Sequence, residues 1–368
     1  MIYFKAIPFI LINLMAIHAA RAQFIHEIIA YKPAPGQHIN GPAGTFEAAQ
    51  SIIGTANGLV SLGAFGGSIT FRFENPVANH PDHPYGIDFT IFGNSFGNWS
   101  EPGIVSVMKD ADRNGLADDT WYELAGSEYA TGKTDTGYKV TYRNPGKETA
   151  ADVSWTDNRG NSGFIFANAS HPQPYYPKPE LFPDIGQSEY SLEGTRLIAD
   201  IDSSDNRLIQ SPVLAYGYAD NHVRGNPPYT VPDNPFTPEI EGAGGDPMDI
   251  SWAVDHEGLP VYLDTIHFIK VHTAVNGHAG ALGEISTEIT GAAVVSLISA
   301  NKPHNHDPGA DNHYSVYPNP TGEKLLINGK NPGYLTITGP AGQIVLATEY
   351  SGTGATLDIS NIPGGMYI

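Results

Sequence analysis

The sequence predicts an all-β protein built around a large antiparallel sandwich with long loops, and three observations carry that expectation. Short apolar runs recur between turn residues, several runs alternate with period two, and helical periodicity is nearly absent. Ile69, Phe71 and Phe73 alternate with Thr70 and Arg72, which places one face inward and the other in solvent. Gly (41) and Pro (29) are abundant, while charged residues make up 16% of the chain against about 25% in an average domain. Such a composition suits many strands joined by ordered turns.

The strand-like runs follow one another from Phe24 to about Ala300. They are Leu59–Leu62, Ile69–Phe73, Ile87–Phe92, Ile104–Met108, Tyr138–Tyr142, Val213–Tyr216, Val261–Val271 and Ala292–Ile298. A weak helical period around Gly44–Ile53 predicts at most short helices. Between Gly146 and Pro247 lie Pro-, Gly- and Asn-rich stretches, such as those beginning at Ser170 and Arg224. Loops beyond about 15 residues in a compact domain are commonly functional.

Charge and cysteine content exclude whole classes of function. Lys plus Arg total 19 against 39 Asp plus Glu, a net charge of −20. The basic surface that nucleic-acid binding requires is therefore missing, and an anionic membrane is an equally poor partner. No Cys is present, so disulfides, thiolate metal sites, cysteine nucleophiles and lipid-bearing cysteines are excluded.

The N-terminus places Lys5 before an apolar run from Ala6 to Ala20 and ends in Ala20-Arg21-Ala22. That pattern predicts a signal peptide over residues 1–22, cleaved after Ala22. Residues 23–299 form the main domain in this reading. The polar segment 300–313, with Pro303, Pro308 and Gly309, reads as a linker to a small domain at 314–368.

The small domain carries Tyr317-Pro-Asn-Pro320, Gly342-Gln-Ile-Val345 and Asp358-Ile-Ser-Asn-Ile-Pro-Gly-Gly-Met-Tyr-Ile368 in order. It resembles the C-terminal sorting domain of cargo of the type IX secretion system of Bacteroidota. The resemblance implies an Ig-like β-sandwich, passage across the outer membrane and contact with the type IX machinery. Sorting domains of this kind continue past the last of these strands, so an incomplete sandwich is expected here.

The most specific chemical signal is Asp110-Ala-Asp112-Arg-Asn114-Gly115-Leu116-Ala-Asp118-Asp119. Oxygen-bearing side chains at relative positions one, three, five and nine, with Gly at six, match the way an EF-hand-type loop wraps calcium. Asp110, Asp112, Asn114 and the Leu116 carbonyl would bind directly, and Asp118 directly or through water. Trp121 stands where the bidentate Glu belongs, so closure falls to Asp119, Glu123 or a distant carboxylate such as Glu101. An Asp/Asn-rich turn without metal is the plainer alternative. Four acids within ten positions repel each other unless a cation or solvent screens them, which favours structural calcium.

Enzyme signals are weaker. Gly93-Asn-Ser95-Phe-Gly97 matches G-x-S-x-G, but a nucleophile elbow needs a helix after the serine, and another strand-like run follows. Fourteen His include no H-E-x-x-H pair. The carboxylates Asp246/Asp249 and Asp255/Glu257 could serve glycoside hydrolysis only if they converge at the required spacing.

Val60–Gly63, Gly66–Ile69, Ile87–Asn94, Glu101–Val107, Asp118–Tyr129, Tyr216–Asn221 and Gly244–Asp255 together resemble a secreted "cell surface protein" family of Bacteroidota. More distantly they are similar to galactose-binding-type jelly rolls. The resemblance implies a jelly-roll-like sandwich and ligand capture, in a family with members in corrinoid-uptake loci, and hence an outer-membrane uptake receptor as a partner. It supplies no contact residues. The expected function is thus non-catalytic binding of a corrinoid or a glycan, with loop aromatics Trp99, Trp155, Tyr175, Tyr176 and Tyr229 as the candidate platform. Trp121 and Trp252, inside strand-like runs, are expected in the core. A glycan hydrolase and a purely adhesive or structural surface protein are the alternatives.

Overall fold

The computed structural model describes residues 23–295 apart from 81, 98, 202–208, 228, 238–239 and 241. Towards the C-terminus it describes residues 314–317, 324–329, 333–338, 344–351 and 354–362. The signal-peptide and linker expectations, at 1–22 and 300–313, lie outside the described residues. The chain is 39% strand and 6% helix, and every ladder between named strands is antiparallel. It is an antiparallel β-sandwich protein.

The larger sheet curls because its first strand serves two halves. Gln23–Lys32 pairs through Gln23 and Phe24 with Val294 and Ala293, then through Ile25 to Lys32 with Phe73 to Ser68. Register shifts at Ile25/Glu27 and Ile28/Ala30 mark bulges, which bend a strand and increase its twist. On one side of this strand lie Gly291–Val294, Phe89–Phe92 and Asp246–Met248. On the other lie Ser68–Phe73, Phe268–Thr273, Gly103–Met108, Trp121–Leu124 and Ala253–Val254.

A four-stranded sheet forms the second layer, in the order Ser162–Ile165, Val153–Asp157, Thr134–Arg143, Glu189–Leu197. Three of these strands fall inside the region that the sequence presents as loops. Polar and glycine-containing stretches such as Glu189–Leu197 mask their alternation, yet Tyr190, Leu192 and Leu197 face inward. The layers are joined by rings that bury apolar area and satisfy their own hydroxyls. Tyr142 donates to the Phe65 carbonyl at 2.9 Å, Tyr190 donates to the Pro33 carbonyl at 2.8 Å, and Phe65 meets Tyr138 edge-on at 4.9 Å.

The weak helical period resolves into one short helix, Phe46–Gln50, capped by Thr45 Oγ1, which accepts the Ala48 N–H at 3.2 Å. In the C-terminal part, Tyr314–Tyr317, Lys324–Gly329 and Ala355–Asp358 form one sheet, and Gly333–Thr338 pairs with Ile344–Tyr350.

Candidate functional site

The Asp110 loop closes the hairpin between Gly103–Met108 and Trp121–Leu124, whose last rung pairs Met108 with Trp121. Asp110 organises it: its carboxylate accepts the N–H groups of Asn114 (3.1 Å) and Gly115 (2.9 Å). Burial raises the Asp110 pKa, but the backbone donors Gly115, Asn114 and Arg113 outweigh it and hold this carboxyl below its usual range. Gly115 sits at φ 78°, where the wrapping turn needs glycine. Asp119 accepts the Ala111 N–H at 2.7 Å.

Carboxylate oxygens of Asp110, Asp112 and Asp119 lie within 4.8 Å of one another. The Asn114 amide nitrogen bridges Asp112 (3.1 Å) and Asp118 (3.2 Å). Among the described residues no Lys or Arg pairs with these acids, and Lys109 is committed to Asp264 at 2.6 Å. The three converging carboxylates offer hard oxygens of the kind a calcium ion takes, while the Asn114 oxygen accepts the Leu116 N–H at 2.7 Å. Of the three closing carboxylates considered from sequence, only Asp119 is at the loop. Glu123 instead accepts from Tyr129 and Thr195, and Glu101 lies in the interior.

A cavity of about 290 Å³ opens where the 213–223 and 233–237 segments meet Asp246. His222 and Asp246 form its polar wall, with Nδ1 of the imidazole 3.1 Å from Asp246 Oδ1. Asp246 is fully buried and also accepts the backbone N–H groups of Asn221 (3.1 Å) and His222 (2.8 Å). Burial pushes the Asp246 pKa up, partly offset by His222. For His222, burial pulls the pKa down, but the Asp246 hydrogen bond and charge and the Asp233 charge prevail, so it stands above its ordinary value. Tyr216 supplies an aromatic wall and is packed on Trp252 and Phe236 at ring separations of 5.4 and 5.8 Å.

Beneath the loops, Glu101, Asp220 and Glu288 bring carboxylate oxygens within 4.8 Å of one another. Burial pushes Glu101 up to about 7. It also drives Asp220 and Glu288 well above the carboxylate range, with mutual repulsion adding to the rise. Asp220 clamps the 93–95 segment by accepting the N–H groups of Asn94 (2.8 Å) and Ser95 (3.0 Å) on Oδ1. A Cβ on Gly93 would stand 2.1 Å from that oxygen. The first glycine of the G-x-S-x-G pattern thus makes room for Asp220. No helix follows Ser95; the chain forms a Phe96–Trp99 bridge and enters the next strand. Sequence reading missed this cluster, because Glu101, Asp220 and Glu288 stand far apart in the chain and belong to no shared motif.

Of the predicted aromatic platform, Tyr175 and Tyr176 line a second cavity of about 300 Å³, but the rings are covered rather than displayed on open loops. Trp99, Tyr175 and Tyr176 are 8%, 1% and 3% exposed. Tyr175 accepts the Asn168 N–H at 3.1 Å and Tyr176 donates to the Gly186 carbonyl, so the rings hold their loops against the body. Trp155 is half-buried over Gly163, and Tyr229 is half-buried against Phe92 at 5.0 Å. Trp252 is in the core as expected, whereas Trp121 is half-exposed beneath the Lys270 ammonium.

The candidate carboxylates are each engaged with other groups. Asp246 faces His222, while Asp249 caps Ser251 and is raised to about 8 by burial and the charge of Asp88. Asp255 accepts the Glu257 and Leu259 N–H groups in an exposed turn.

Residues 315–368 match the secretion system C-terminal sorting domain family. No curated protein matches the chain. The matched tail marks a secreted Bacteroidota protein that engages the type IX machinery and is exported to the cell surface or outer-membrane surface.

Proposed function

We propose that the exported sandwich is a non-catalytic ligand-binding protein. The observation that carries this reading is the cavity beside the His222–Asp246 pair, a concave site with convergent polar groups and an aromatic wall. Calcium held by Asp110, Asp112, Asn114, the Leu116 carbonyl, Asp118 and Asp119 would staple one hairpin and take no part in chemistry. Glycans and corrinoids are the ligand classes to test.

The closely spaced carboxyls Glu101, Asp220 and Glu288 are the observation that favours a hydrolase instead. Asp220 is engaged with backbone donors on both oxygens and Glu288 is buried, and none of the three lines the cavity, which supports binding over turnover. The test is a binding screen of the exported protein against cobalamin and a glycan panel, with and without chelator. Saturable binding without turnover supports the proposal. Turnover of a ligand, or failure of every ligand to bind, overturns it.

A further inference from the structure

The cavity's size, charge and unmatched polar atoms narrow its occupant. Its volume of about 290 Å³ lies at the small end of the roughly 300–1,000 Å³ that small-molecule pockets span. One ring-sized unit matches that volume, whereas a corrinoid macrocycle exceeds it and would have to extend beyond the cavity. The described lining holds Asp233 and Asp246 but no Lys or Arg. Among the described lining residues, an anionic ligand would meet carboxylates with no cationic side chain except the imidazole of His222.

The lining presents donors as well as acceptors. His222 points Nδ1 at Asp246, and its Nε2 meets no partner among the described residues. Asn234 uses Oδ1 to accept the Phe236 N–H at 3.1 Å, and its Nδ2 likewise meets none among the described residues. Asp233, nearly buried, adds a carboxylate that accepts the Gly242 N–H at 3.0 Å. An ammonium ligand would leave the donors unmatched, and a carboxylate or phosphate would oppose the acids. Hydroxyl groups both donate and accept, so several on one small ring match this mixed lining. Tyr216, Val213 and Pro235 offer apolar surface to the C–H face of such a ring.

We infer that the cavity bounded by Tyr216, His222, Asp233, Asn234 and Asp246 receives a single neutral sugar residue, either free or at the end of a glycan. This rests on the binding reading above and sharpens it. The raised pKa of His222 agrees with a protonated ring that donates from Nε2.

The experiment titrates the full chain with neutral methyl hexopyranosides, and with glucuronic acid and glucosamine as charged counterparts, by ligand-observed NMR and calorimetry. A neutral glycoside is expected to bind with Kd on the order of 1 mM, the charged analogues more weakly. Asn234→Asp keeps the acceptor for Phe236 and removes the donors, and should weaken binding about tenfold. Val213→Trp fills the cavity and should abolish binding. Melting curves of both variants report whether each still folds.

Absence of binding by every neutral glycoside overturns the inference, as does preference for a charged analogue. So does binding that survives both folded variants. If cobalamin or a larger glycan binds in a way that Val213→Trp leaves untouched, the sugar cavity fails while the binding function stands.

Discussion

Asp220 accepts the backbone N–H of Glu288 at 2.8 Å, although the carboxyl groups of the same two residues belong to one buried acidic cluster. The contact ties the 220 turn to the strand Glu288–Ile289, and with Asn94 and Ser95 it fixes three segments around one side chain. With no cation between them, carboxyls this close repel one another unless protons are shared among Glu101, Asp220 and Glu288.

Stability should therefore fall as pH rises. The folded-state pKa values are raised, Glu101 to about 7 and the other two well above the carboxylate range. Protons held by the folded state contribute stability that is complete below the ordinary carboxylate pKa and is lost as pH climbs through the folded values. Every tenfold gain in a carboxyl's proton affinity on folding contributes about 1.4 kcal/mol. Melting scans from pH 5 to 9 should show a declining Tm that Glu288→Gln flattens. A Tm that rises over this range would contradict the shared-proton account.

Removing the acceptor has a different effect from removing the charge. Asp220→Asn turns one oxygen into a donor facing backbone N–H groups and should cost about 1–3 kcal/mol by denaturant titration. Gly93→Ala places a methyl 2.1 Å from the same carboxylate and should cost a similar 1–3 kcal/mol, about what overpacking costs. Unchanged midpoints for both would show that the clamp carries no weight.

Ser95 is expected to be dispensable. Its buried Oγ meets no hydrogen-bond partner among the described residues, so Ser95→Ala should leave stability within about 1 kcal/mol and ligand affinity unchanged. Activity on nitrophenyl esters that disappears in this variant would revive the nucleophile reading.

Calcium removal should destabilise the sandwich. A cation bound only to the folded state adds about 2.7 kcal/mol at a hundredfold excess over Kd. Chelation should lower Tm in the parent protein and leave Asp112→Asn unaffected. Identical curves with and without chelator would refute the calcium site.

Legibility in the sequence followed locality. The Asp110 loop could be read because its carboxylates lie within ten positions and its glycine marks the turn. The alternation of Ile69, Phe71 and Phe73 revealed a strand in the same way. The Glu101–Asp220–Glu288 cluster could not be read, since only the curled sheet brings those three segments together. The burial of Tyr175 and Tyr176 could not be read for a related reason: a ring in a Pro-rich loop looks exposed until its hydroxyl partner, supplied by a distant segment or a turn, is known. The strand Glu189–Leu197 was hidden by the polar residues on its outer face.

The most direct test of non-catalytic binding measures what becomes of a bound ligand. The full chain is incubated with each glycan that binds, and the ligand is recovered and weighed by mass spectrometry beside a protein-free control. Saturable binding with recovery of an unaltered ligand is the predicted result. Protein-dependent cleavage that vanishes in Glu101→Gln would contradict it and place catalysis in the buried carboxyl cluster.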